Sequence, residues 1–244
     1  MKLKKSLTVF LAAVLVIFAV LHVSSDLIAA ESGTSGFSFF KGIWTSQKLS
    51  NPPEIDLDSW NLILVNLENP IPYDFEVELG LTMDGYEFDA RAADALDQLL
   101  SAGRAAGNQL VLTSAYRTYD YQTVLFEDKI RRVIDEQGVD YESASKIAGT
   151  VVAFPGTSEH QTGLAADIVC EYYNILDEGY ADTNEAKWLR ENCADYGFIL
   201  RYDKDKQGIT GIIYEPWHFR YVGVEAARYI MENNICLEEF VELY

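Results

Sequence analysis

The spacing of apolar and polar positions divides the chain into recognisable elements. Phe88, Ala92, Ala95, Leu96, Leu99 and Leu100 recur at helical spacing, and Gly107 follows as a stop, which predicts a helix over 88–106. A second stripe of Gln122, Phe126, Ile130, Val133 and Ile134 predicts a helix over 119–136, ended by Gly138. "DYESASKIAGTVVA" is a third helical stretch, with Asp140 as its N-cap. Residues 185–196 and Val224–Asn233 read as two more. Strands are expected at "QLVLTSAY" (109–116), "GLAADIV" (163–169), "GFILRY" and "GIIYEPWHFRYV", the last two as a hairpin or meander. "NLILVN" (61–66) is β-rich, and the prolines of "NPIPYDFEVEL" keep that stretch extended. Helices come first and strands mostly later. That order favours an α+β fold, a small antiparallel sheet with helices packed around it, over a doubly wound parallel sheet.

The N-terminus departs from this pattern. Lys2, Lys4 and Lys5 precede an apolar run from Leu7 to Leu21, interrupted only by Thr8, which is expected to act as an export signal over residues 1–25. It is slightly short for a membrane span and slightly long for a cleaved signal, so removal and retention as a membrane anchor both stay open. The Ser-, Gly- and Pro-containing stretch 26–58 reads as a linker or lead-in to one domain over 59–244.

Composition narrows the chemistry. The formal net charge of −19, without a Lys/Arg stripe, speaks against nucleic acid as a partner. Cys170, Cys193 and Cys236 are odd in number and lack C-x-x-C spacing, so they make neither a thiol metal cluster nor a disulfide framework. A single bridge stays open, beside buried free thiols.

Only two histidines lie beyond residues 1–25, His160 in "SEHQTGLAAD" and His218 in "YEPWHFRYVG". One histidine on a strand is commonly a satisfied core residue. Two of them, each in a polar island inside an apolar segment and near a carboxylate, suggest more. His160, Asp167 and His218 form a three-ligand set suited to Zn²⁺ with a fourth position open, and Glu215 is then free to serve as a general base. On a simple strand Glu215 and His218 would point to opposite faces. An irregular turn at 215–217 is therefore expected to bring both to the metal, with Trp217, Phe219 and Tyr221 on the core face. Arg117 follows directly on a predicted buried strand and precedes a helix. It reads either as a catalytic side chain held between rigid elements or as a surface partner of one of many carboxylates.

"SAYRTYDYQ", "PGTSEHQTGLAADI" and "YEPWHFRYVG" together resemble the VanY-type D-alanyl-D-alanine carboxypeptidases, over roughly residues 60–235. The resemblance implies the α+β fold shared with lysostaphin-like peptidases and the hedgehog domain, and peptidoglycan stem peptides as substrate. It implies Zn²⁺ on His160, Asp167 and His218, Glu215 as base, Arg117 as the transition-state arginine, and Ser158 and Gln122 as substrate-holding residues. An L,D-carboxypeptidase acting on tetrapeptide stems and a non-catalytic zinc module binding wall peptides remain as alternatives. A two-histidine, one-carboxylate iron oxygenase fits less well, because it has no use for Glu215.

Overall fold

A computed structural model describes residues 51–244. The proposed export segment, and the lead-in before residue 51, lie outside the described residues. Among the described residues no helix is long and apolar enough to cross a membrane.

Two short strands, β1 (Leu79–Leu81) and β2 (Glu87–Asp89), form an antiparallel pair. Helix α1 (Ala93–Ala105) follows, then β3 (Leu110–Ser114), α2 (Tyr119–Gln137) and α3 (Tyr141–Ala148). Next come β4 (Ala165–Cys170), α4 (Asn184–Asn192), β5 (Phe198–Leu200), the short α5 (Gln207–Thr210), β6 (His218–Tyr221), α6 (Val224–Asn233) and α7 (Leu237–Val241). The main sheet has four strands in the order β3-β4-β6-β5, every neighbouring pair antiparallel, as the element order implies.

Two helix starts follow from side-chain caps. The Thr118 hydroxyl accepts from the Tyr121 amide at the start of α2, and the Asp140 carboxylate accepts from the Ser143 amide at the start of α3. One face of the sheet packs on α1. Phe88, Leu96, Leu99 and Leu100 meet Leu112, Ala166, Ile168, Phe198 and Phe219 in the largest apolar cluster. A second cluster joins Ile199 to α6 and α7 through Ile230, Leu237 and Phe240. Ile55 and Leu57 pack against this second cluster, so the end of the lead-in is laid onto the domain.

Three expectations change. The first positions of the predicted 88–106 helix belong to β2, so α1 starts at Ala93. "NLILVN" contributes no strand. Trp60–Leu62 is a single 3₁₀ turn, and the carbonyls of Asn61 and Ile63 accept from the Arg220 guanidinium instead of from a neighbouring strand. "GIIYEPWHFRYV" is strand only from His218 to Tyr221, because Pro216 and a tight turn occupy the preceding residues.

Candidate metal centre

Sheet register assembles half of the site. Asp167 on β4 pairs directly with His218 on β6, so both side chains stand on one face of the sheet. Alternation along β6 sends Phe219 and Tyr221 to the opposite face against the α1 core, as expected. Trp217 lies outside that alternation and packs with Val169, Tyr180 and Ala186 instead, so it does not share the core face of the other two aromatics. On β3, Leu112 pairs with Ile168 but Ser114 pairs with Asp167, which marks one extra residue on β3. This bulge turns Ser114 away from the core and toward Asp167, the kind of re-aiming that bulges supply.

The third corner comes from a 3₁₀ turn, Glu159–Thr162. The His160 carbonyl accepts from the Arg117 amide, tying this turn to the end of β3. Gly163 closes the turn at φ +71°, and a Cβ there would sit 2.9 Å from the Asp89 backbone nitrogen, so glycine is required.

Glu215 reaches the site through a β-turn. The His218 amide donates to the Glu215 carbonyl at 3.1 Å, with Pro216 second in the turn, where its fixed φ fits. The turn reverses the odd strand separation and leaves Glu215 Oε2 3.7 Å from His218 Nδ1. The irregularity expected at 215–217 is present.

Ligand atoms of His160, Asp167 and His218 lie within 4.8 Å of one another. His160 Nδ1 meets the Ala115 carbonyl at 2.6 Å, which orients Nε2 toward Asp167 Oδ2 at 3.3 Å. His218 Nδ1 is 3.2 Å from Asp167 Oδ1, without hydrogen-bond geometry, and that oxygen has no other partner. Two imidazole nitrogens and an orphaned buried carboxylate oxygen facing one point fit a tetrahedral divalent ion with an open position. All three residues and Glu215 are buried, Glu215 most exposed at 7%. Burial pushes the Glu215 carboxyl up to about 8, helped by the Asp167 and Glu159 charges. Burial also pulls His160 down to about 4, with the Arg117 charge adding to it. Burial alone would lower His218, but the carboxylates of Asp167 and Glu159 prevail and raise it to about 9.

The remaining expected residues divide. Arg117 donates to Asp167 Oδ2 at 2.5 Å and to Ser114 Oγ at 2.9 Å, so it is neither isolated in the cleft nor a surface ion pair. It lines a cleft of about 310 Å³ together with Ser158, His160, Asp167, Glu215 and His218. Gln122 does not line that cleft. It is fully buried, and its Nε2 donates to the Ala153 carbonyl, which supports the cleft wall from behind.

Sequence reasoning missed a buried ionic group behind His218. Glu159 Oε2 lies 3.4 Å from His218 Nε2, and Glu159 Oε1 accepts from both Arg201 and Arg220 at 2.7 Å. Arg201 also grips Glu238 through two nitrogens, at 2.6 and 2.8 Å. Burial would raise the Glu159 carboxyl, but the two arginine charges hold it well below the usual range. An ionised Glu159 accepts Nε2–H of His218 and so leaves Nδ1 as the metal-facing nitrogen. The signal was available, since Arg220 alternates with His218 inside an apolar strand and therefore shares its buried face.

The fold and this site define a candidate metal-dependent hydrolase, with three converging ligands, an open position and a carboxylate base beside them. Similarity to known proteins then narrows the class. The VanY D-alanyl-D-alanine carboxypeptidase family profile matches residues 85–224. A D-alanyl-D-alanine carboxypeptidase of Enterococcus faecalis is 43% identical over 187 residues, covering 76% of this chain and 67% of that protein. Among solved structures, an alanine variant of a vancomycin-resistance D,D-pentapeptidase VanY in complex with Zn(II) superposes with a TM-score of 0.67 at 42% identity. That match covers 75% of this chain and 99% of the other. The LD-carboxypeptidase LdcB gives 0.63 at 34% identity, over 82% of this chain and 96% of its own. The chain belongs to the VanY family of D-alanyl-D-alanine carboxypeptidases, and its cofactor is Zn²⁺.

Proposed function

We propose that this protein hydrolyses the bond before the C-terminal D-alanine of peptidoglycan stem peptides, with Zn²⁺ held by His160, Asp167 and His218. The observation carrying this reading is the buried convergence of those three side chains with the Glu215 carboxylate 3.7 Å from His218 Nδ1. When bound, Zn²⁺ supplies Lewis acidity, which makes water nucleophilic near neutral pH. Glu215 takes the proton of the attacking water and returns it to the leaving amine, a role suited to a carboxyl poised near the working pH. Arg117 is fixed by Ser114 and Asp167 and leaves Nη1 without a partner among the described residues, free to face the developing oxyanion. At 4 Å a single such charge contributes roughly 4 kcal/mol at an effective dielectric of 20. Ser158, in the cleft wall, helps to hold the substrate.

The similarity to LdcB favours a second reading, removal of D-alanine from tetrapeptide stems across an L,D bond. The Lys2–Leu21 stretch supports action outside the cytoplasm, with the membrane as a partner if that stretch is kept.

Purified protein is to be assayed for zinc content and incubated with synthetic penta- and tetrapeptide stems, the products being weighed by mass spectrometry. Loss of one D-alanine from the pentapeptide alone is expected; cleavage of the tetrapeptide alone selects the second reading. Glu215→Gln is expected to bind close to one zinc and release no D-alanine. Turnover by zinc-replete Glu215→Gln sinks the base assignment.

A further inference from the structure

Among the described residues there are fourteen lysines and arginines, in a chain of net charge −19. Eleven of them sit within 4.0 Å of a carboxylate. Lys187 makes no ion pair but donates to the Asp182 carbonyl. Only Lys129 and Arg132 have no polar partner among the described residues, and both line the cleft that holds the metal ligands. In so acidic a molecule, cations left unpaired in the one place where substrate must lie call for a ligand.

The surrounding chemistry sharpens the picture. Leu125, Asp128, Lys129 and Arg132 recur at i, i+3, i+4 and i+7 on α2, so one face of the helix forms this wall of the cleft. Asp128, which lines the same wall, is already engaged by Arg131. Arg117, another cation of the cleft, already pairs with Asp167 through Nη2. Val151, Val152 and Ile212 line the same cleft and supply apolar surface beside the charges.

Distance determines which part of a substrate can reach them. Lys129 and Arg132 lie ten and thirteen residues beyond Tyr119, the first residue of α2, or about 15 and 20 Å along a helix rising 1.5 Å per residue. Helical side chains lean back toward the N-terminus, which brings the charged heads about one turn, or roughly 5 Å, nearer the Arg117 end of the cleft. An extended peptide advances about 3.3–3.6 Å per residue, so the remaining span of roughly 10–15 Å equals about three to four residues. The terminal carboxylate, adjacent to the scissile bond, is too close to the metal to be the partner.

We infer that Lys129 and Arg132 form a specificity subsite for a second carboxylate of the wall peptide, about three to four residues upstream of the bond that is cut. The inference rests on the peptidase reading above. Two sources share this chemistry: the α-carboxylate of a γ-linked D-glutamate, and the side-chain carboxylate of a diaminopimelate residue.

The test uses the full zinc-loaded protein and four pentapeptides ending in D-Ala-D-Ala. One pair carries D-glutamate or its α-amide beside lysine; the other carries diaminopimelate or its side-chain amide beside amidated glutamate. Wild-type enzyme is expected to favour the free acid of one pair by about five- to twenty-fold in kcat/KM, mainly through KM, and the pair showing it identifies the source. K129Q/R132Q is expected to abolish that preference while changing cleavage of the amides less than two-fold. Both positions are on the helix surface and unpaired, and circular dichroism verifies that the variant folds. K129E/R132E should reverse the preference. An equal loss on acids and amides, or no loss on any peptide, overturns the inference. A parallel calorimetric arm measures binding of the same peptides to Glu215→Gln. If no peptide is cleaved yet the free acid still binds more tightly there, the activity falls and the subsite stands; equal binding of acid and amide overturns the subsite whatever the turnover.

Discussion

Replacing Arg201 with methionine tests the ionic support of the metal centre. The Arg201 side chain is wholly buried and holds Glu159 through Nε and Glu238 through both terminal nitrogens. Methionine fills much of the volume but leaves two buried carboxylates with Arg220 as the only remaining arginine on Glu159. Breaking a buried pair by removing one partner costs about 3–5 kcal/mol, because the orphaned charge stays desolvated. For a domain of this size, at about 2–4 °C per kcal/mol, Tm should fall by roughly 6–20 °C. The pH dependence has a definite sign. In the wild type, burial would raise the Glu238 carboxyl, but Arg201 holds it below 4.5. That contribution is fully present above the unfolded value and is lost as pH falls through the folded one. Without Arg201, burial prevails and the folded pKa rises above 4.5, so the variant regains stability on acidification. Thermal melts of chelated protein at pH 8 and pH 5 should therefore show the gap between variant and wild type narrowing at pH 5. Arg201→Lys, which keeps the charge but not the two-pronged grip, should fall between them. A Tm within 2 °C of wild type, or a gap unchanged between the two pH values, would refute the reasoning. Zinc affinity should weaken about 10- to 100-fold as Glu159, held by Arg220 alone, orients His218 less firmly.

Zinc loading should itself be pH-dependent. At pH 7 metal-free His218, near 9, carries a proton and His160, near 4, does not, so each Zn²⁺ should displace about one proton, or about two if Glu215 ionises as well. Affinity then rises with pH up to about 9; calorimetry in buffers of different ionisation enthalpy reads the number, and zero protons contradicts the assignment. Gly163→Ala should cost at least about 2 kcal/mol in urea denaturation, because φ +71° is strained for alanine and its Cβ meets the Asp89 backbone. Gly138→Ala, at φ +66° with nothing near its Cβ, should cost less, and equal costs would show that crowding is irrelevant. The three cysteines are free and buried, and burial pushes the Cys193 thiol up to about 12. A thiol reagent should therefore find none in the native protein and three after unfolding; fewer than three without reductant would reveal a bridge.

What was readable in the sequence follows from the range of the forces involved. The α2 stripe and the Asp140 cap are local, resolved within one or two helical turns, and they fall where the spacing put them. His160 and His218 stood out because histidine is scarce in this chain and each lies in a polar island, and Asp167 because it is a carboxylate near His160. Gln122 was placed by the same local pattern. It occupies the apolar stripe of α2, and that periodicity sends it inward to Ala153 rather than to the cleft. The ionic support was harder to see. In a chain with 38 acidic side chains a glutamate reads as surface, and Glu159 meets its partners 42 and 61 residues away. An arginine inside an apolar run is the one local clue, since such a side chain can be buried only if a carboxylate comes to meet it. "GFILRY" and "HFRYV" each contain one. Both arginines converge on the carboxylate next to His160, so the charges hidden by long sequence separation are those that orient the metal ligand His218.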